Sequence, residues 1–145
     1  MHIKRRGSAA WQGGIKDGSG SISSESGALA VYPYGFASRF EGRPGTNPEE
    51  LIGAAHAGCF TMALSLILGE AGLKATRLDT SAQVTLSSVE QGYAITAVQL
   101  VLRAVVPGTD AQTFSQLALA AKLNCPVSKL LNADVTLDAA LVGEV

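Results

Sequence analysis

The chain has 145 residues, 47% apolar and 16% charged, with a formal net charge of -1 and a pI near 6.1. That length suits one core, and the charge balance supplies no basic field to draw the chain to nucleic acid or anionic lipid. A soluble globular protein with a small-molecule or protein partner is expected.

The opening MHIKRRGSAAWQGG is basic but is not followed by the apolar run of a secretory signal, which predicts a cytoplasmic protein. Over residues 1–45, Gly, Ser and β-compatible residues alternate loosely, broken at Gly13-Gly14 and Gly27, and predict a hairpin or meander. YPYGFASRFEG, residues 32–42, carries Tyr32, Tyr34, Phe36 and Phe40 between turn signals and reads as a loop and short strand. Asn47 then offers an N-cap, Pro48 a first helical position and Glu50 a capping-box partner. A helix starts there, runs to about Glu70 and ends at Gly72. After its first turn it is apolar nearly all round, which places it at the centre of the fold. Leu51–Leu68 is the only membrane candidate, yet it holds His56, Thr61, Ser65 and two glycines and lacks basic or aromatic flanks, so a buried core helix is expected.

Residues 75–90 and 93–106 are rich in Val, Thr, Leu and Ile, and with Glu90-Gln91-Gly92 between them they predict a long hairpin. Pro107-Gly108 closes it, and Thr109 or Asp110 caps a second helix from TDAQTFSQLALAAKL. Asn124-Cys125-Pro126 interrupts that helix, VSKLL adds a further turn or two, and ADVTLDAALV supplies a last strand. The expected fold is a single α+β domain over 1–145, with antiparallel sheets, a long buried central helix and a second helix.

Two cysteines in an intracellular chain are ordinarily buried and inert. With His2 and His56 they make four potential zinc ligands, but they form no CxxC or HxxxH half-site and His2 sits at the terminus, so no metal site is expected. On a helix, Cys59 shares a face with Ala55, His56, Met62 and Ala63, where burial raises its pKa; reactivity then requires a cation or strong donor from elsewhere. Cys125 precedes a proline able to open a helical turn, so its sulfur lies near unpaired N–H groups that lower its pKa. Whether the two sulfurs meet is left open at this level. His56, one turn before Cys59, reads as a core histidine, with a base for Cys59 as the alternative.

The runs PYGFASRFEG, GTNPEELIGAAHAGCFTMALS and NCPVSKLL, in this order and at this spacing, resemble the osmotically inducible protein C (OsmC/Ohr) family over essentially the whole length. The resemblance implies a thiol-dependent peroxidase that reduces organic hydroperoxides, and hydrogen peroxide more weakly, in oxidative and osmotic stress defence. It implies that Cys59 is the peroxidatic thiol and Cys125 the resolving thiol, with Arg39 and Glu49 activating and orienting Cys59. It further implies no bound cofactor, a lipoyl-type external dithiol as reductant, and a homodimer. Phe36 and Phe40, with Phe60 and Met62 on the helix, either wall an apolar pocket for the substrate or pack a dimer core. Glu49 and Cys59 stand ten residues apart on one helix, about 15 Å along its axis. An Arg39–Glu49 pair beside Cys59 therefore needs a long reach by Arg39 or a second chain. The expected assembly is an intertwined homodimer with Glu49 serving in trans. The alternative function is a redox sensor or a carrier of small apolar ligands, without turnover.

Overall fold

The computed structural model describes residues 1–143. They fall into two compact units, one from Met1 to Leu51 and one from Ile52 onward, with the boundary inside one helix.

In the first unit, β1 (Gly7–Gln12), β2 (Ser19–Ser24) and β3 (Tyr32–Tyr34) form the expected antiparallel meander, paired from Gly7↔Ser24 to Gln12↔Ser19 and from Gly20↔Tyr34 to Ile22↔Tyr32. The stretch after β3 is not a loop but a helical turn, α1 (Phe36–Phe40). A buried serine explains it: Ser38 Oγ accepts the Gly35 N–H at 2.9 Å and donates to the Thr46 carbonyl at 2.9 Å. One hydroxyl thus caps the turn and ties it to the segment that leads into the long helix.

That helix, α2 (Pro48–Glu70), starts where Asn47, Pro48 and Glu50 predict. Asn47 Oδ1 accepts the Glu50 N–H at 2.8 Å, while the Glu50 carboxylate turns back to the Thr46 hydroxyl at 2.9 Å. Its other end is a Schellman closure: Gly72 sits at φ 75, its N–H reaches Gly69 O at 3.0 Å, and Leu73 N–H reaches Leu68 O at 2.8 Å. Glycine takes this left-handed position without the steric penalty that a Cβ brings.

In the second unit, β4 (Arg77–Val89) and β5 (Gly92–Val105) form the long antiparallel hairpin, with a bulge between Thr85 and Leu86. Two helices follow, α3 (Ala111–Asn124) and α4 (Pro126–Leu130), then β6 (Asp134–Leu141). The Asp110 carboxylate caps α3 by accepting the Thr113 N–H at 2.7 Å, and that bond holds its pKa below the usual aspartate value. One expectation is corrected here. The second sheet, ordered β4-β5-β6, is mixed, because β6 runs parallel to β5 from Ala97↔Asp134 to Ala104↔Leu141. The helical crossover returns the chain to the end of the sheet from which β5 set out, and a strand entering there must run in the same direction.

Val98, Leu100, Leu102 and Ala104 lie on one face of β5 at the strand period of two and are buried. Phe60, Leu64 and Leu68 of α2 and Phe114, Ala118, Ala121 and Cys125 join them in one cluster. The central helix is not buried all round, as its composition suggests. In the single chain it buries the stripe His56, Phe60, Leu64 and Leu68, while Met62 is 77% and Leu66 65% exposed, because sheet and α3 cover one side only. By length and composition α2 is apolar enough to cross a membrane. Its polar side chains nevertheless find protein partners: Thr61 Oγ1 donates to Thr80 Oγ1 of β4 at 2.7 Å, and His56 bonds to α4.

Candidate active site

Pro126 makes the local geometry around Cys125. A proline disfavours helical torsions in the residue before it, and Cys125 accordingly adopts φ -60, ψ 124. The break ends α3 and begins α4 in one residue, leaving the first amides of α4 without helical acceptors. Those of Val127 and Ser128 are among the influences that lower the pKa of the Cys125 thiol.

Cys59 comes from α2, one residue before the buried Phe60, and its thiol lies near enough to that of Cys125 for each to shift the other's titration. Both cysteines are free; Cys59 is partly exposed and Cys125 fully buried. The two titrate in opposite senses. Burial pushes the Cys59 thiol up, Cys125 pushes it further, and the Val127 amide opposes both. For Cys125 burial also acts upward and is the largest single influence. The donors together outweigh it, namely Cys59 S–H, the amides of Ser128 and Val127 and the Ser128 hydroxyl, so its pKa falls below the usual thiol value.

His56 is fully buried, as a core histidine would be, but it is only half satisfied. Its Nε2 lies 2.8 Å from Ser128 Oγ, and its Nδ1 has no partner among the described residues. Burial lowers its pKa. Phe60, expected as a pocket wall, lies fully buried in the core beside Leu64, and Met62 points out of the single chain. Among the described residues no three His, Cys, Asp or Glu side chains gather as metal ligands.

The first unit holds the other two expected residues, and holds them together. Arg39, on α1, grips Glu49, at the second position of α2, through Nη2 to Oε1 at 2.7 Å and Nε to Oε1 and Oε2 at 3.1 and 3.3 Å. The Glu49 side chain is 11% exposed and that of Arg39 37%, so the carboxylate is sheltered and the guanidinium keeps an open side. Phe40 stacks there, with the guanidinium carbon 5.4 Å from its ring centre, and Phe36 lies 4.9 Å from Phe40.

Beside this pair is a recess of about 270 Å³ lined by Trp11, Ile15, Tyr34, Phe36, Arg39 and Phe40. Trp11 and Tyr34 meet edge to face at 5.6 Å across Gly20, where any Cβ would run into both rings. Sequence reasoning missed Trp11 and Ile15. The one signal was a lone tryptophan in a Gly- and Ser-rich hairpin, which is unusual for a residue of that size unless it covers something. It also missed Ser128, whose only mark was its place three residues after Cys125.

The family model described as OsmC-like protein matches residues 40–140. The chain belongs to the OsmC-like family. Its match to that family takes in Glu49, Cys59 and Cys125 and begins one residue after Arg39. Among curated relatives of this OsmC-like chain, Peroxiredoxin OsmC of Escherichia coli is 56% identical over 138 residues, covering 95% of this chain and 96% of the relative. The Organic hydroperoxide resistance protein of Xanthomonas axonopodis pv. citri is 33% identical over 102 residues, 68% of this chain and 70% of the relative. Among solved structures, the organic hydroperoxide resistance protein OhrB of Bacillus subtilis superposes with a TM-score of 0.76 at 30% identity, over 95% of this chain and 98% of that one.

Proposed function

We propose that the chain is a thiol-dependent peroxidase that reduces organic hydroperoxides, and hydrogen peroxide more weakly, in defence against oxidative and osmotic stress. The observation that carries this reading is the meeting of an accessible thiol, Cys59, with a buried one, Cys125, under the amides of α4. The names of the two relatives, Peroxiredoxin OsmC in E. coli and Organic hydroperoxide resistance protein in Xanthomonas, support it. Cys59 thiolate attacks the distal oxygen of R–O–O–H, the O–O bond breaks, and the alkoxide leaves and takes a proton to become the alcohol. Cys59 is left as a sulfenic acid. Cys125 thiolate then attacks that sulfur, hydroxide leaves and is protonated to water, and a disulfide joins the two residues. An external dithiol of lipoyl type restores both thiols, and no bound cofactor takes part. Such a cycle suits the reducing cytoplasm, where we place the protein.

Burial pushes the Cys59 thiol up, which works against the first step. Arg39 answers that need, since a guanidinium never loses its proton and can stabilise a thiolate and the charge developing on the peroxide. Glu49 holds the fork. Ten residues of uninterrupted helix separate Glu49 from Cys59, about 15 Å of rise. In our reading the Arg39–Glu49 pair therefore serves the thiols of a partner subunit in an intertwined homodimer. The exposed apolar side of α2, with Met62 and Leu66, is the surface that the partner would cover. The recess beside Arg39 would take the organic group of the hydroperoxide, between Phe36 and Phe40.

The reading is tested by mixing the protein with excess organic hydroperoxide and a lipoyl dithiol. A peroxidase consumes many equivalents per chain. Consumption that stops after one equivalent identifies a redox sensor or ligand carrier instead. The part given to Arg39 is tested by Arg39→Lys. One ammonium cannot make the three contacts to Glu49, and kcat/KM is expected to fall roughly 10- to 100-fold. The unfolding free energy should change by less than about 1 kcal/mol, because the arginine is partly solvated. An unchanged kcat/KM would remove Arg39 from the mechanism.

A further inference from the structure

The chemistry above leaves one buried polar group without a task. His56 is inaccessible to solvent, its Nε2 lies 2.8 Å from Ser128 Oγ, and its Nδ1 faces no partner among the described residues. Ser128 stands three residues after Cys125 in the same turn, its hydroxyl and amide both act to lower the pKa of the Cys125 thiol, and Cys125 and Cys59 shift each other's titration. Ser128 thus connects the imidazole of α2 with the thiol pair.

The unpartnered Nδ1 tells which way this connection points. Burial keeps the ring neutral at physiological pH, so one of its nitrogens carries the proton. Were it Nδ1, a buried N–H would lack an acceptor, which is the rarer and costlier kind of orphan. With the proton on Nε2, the ring donates to Ser128 Oγ, and the hydroxyl's own hydrogen has no place on that line and turns to sulfur. We propose that His56 is a positioning residue for disulfide formation, whose Nε2–H fixes the Ser128 hydroxyl as a donor to Cys125 and so keeps the resolving sulfur a thiolate facing Cys59. The inference rests on the peroxidase reading for the name of the step, though not for the hydrogen-bond chain itself. In the step, Cys125 thiolate forms the S–S bond as the S–O bond of Cys59 sulfenic acid breaks, and the departing hydroxide recovers as water the proton that Cys125 had released. The groups that act on Cys125 are Cys59 from α2 and Val127 and Ser128 from its own turn. Ser128 faces the imidazole, and burial is the influence on its titration.

The test uses the full chain with Cys59→Ser, which leaves one thiol to follow by NMR at the cysteine Cβ carbon as pH is raised. His56→Phe should move the Cys125 titration to higher pH, and His56→Gln, whose amide can donate from the position of Nε2, should bring it back. In a Ser128→Ala background, His56→Phe should add nothing. In the chain with both cysteines, His56→Phe should slow disulfide closure roughly three- to tenfold, the loss of one hydrogen bond's worth of stabilisation. Inactivation of Cys59 by excess hydroperoxide should rise in step. Nitrogen NMR of the native protein should find His56 protonated at Nε2, a reading that does not depend on how any variant folds. A Cys125 titration unmoved by His56→Phe, equal shifts in the Phe and Gln variants, an additive effect in the Ser128→Ala background, or a proton on Nδ1 would overturn the proposal. If the native chain shows no turnover while the titration shifts as described, the peroxidase reading fails and the hydrogen-bond chain stands.

Discussion

Cys59→Ser lowers hydroperoxide turnover by about 10³-fold or more, the scale of loss when a nucleophile is removed from a site that otherwise stays intact. Serine keeps the shape of the side chain and its hydrogen-bond capacity but cannot ionise near neutral pH. Cys125→Ser should behave differently, consuming about one equivalent quickly and then accumulating over-oxidised Cys59, because nothing condenses with the sulfenic acid. The comparison is informative because burial pushes the Cys59 thiol up while the donors around Cys125 lower the pKa of that thiol. Stopped-flow consumption and mass spectrometry of the two variants separate the roles. If Cys125→Ser abolishes the first oxidation and Cys59→Ser spares it, the buried sulfur is the nucleophile and the assignments are exchanged.

Phe60→Ala is expected to reduce the unfolding free energy by about 3–5 kcal/mol. That is a large part of the roughly 5–15 kcal/mol that holds a domain of this size. The ring is fully buried in the same cluster as Leu64, Leu100, Leu102 and Phe114, so its removal leaves a cavity in the interior. Urea unfolding at neutral pH measures the loss. A change below about 1 kcal/mol accompanied by a raised KM for bulky hydroperoxides would return Phe60 to the wall of a substrate pocket.

Local signals read correctly were those carried by neighbours in the chain. Asn47, Pro48 and Glu50 start α2, Gly72 ends it, and Pro126 sets Cys125 under the amides of a new turn, because each acts within four residues. The grip of Arg39 on Glu49 was legible only through the family resemblance, since a ten-residue spacing has no physical signature of its own. The direction of β6 was not legible, because parallel or antiparallel entry depends on which end of the sheet the α3–α4 crossover reaches. Nor was the exposed side of α2. Composition gives the helix as apolar all round, whereas burial depends on how many elements surround it. Ser128 was overlooked since its partner, His56, stands 72 residues away and a hydroxyl by itself announces nothing.

The meeting of Cys59 with Cys125 also bears on how the protein withstands heat. A bond between them ties the middle of α2 to the α3–α4 junction and closes a loop of 125 minus 59, or 66, residue steps. A covalent loop of that length restricts the unfolded chain by about 4 kcal/mol on the chain-entropy view. In the cycle proposed above, each molecule that has just met an oxidant is therefore more durable than one waiting for it. The reductant that resets the thiols also dissolves a clamp, so resilience and readiness alternate within a single turnover.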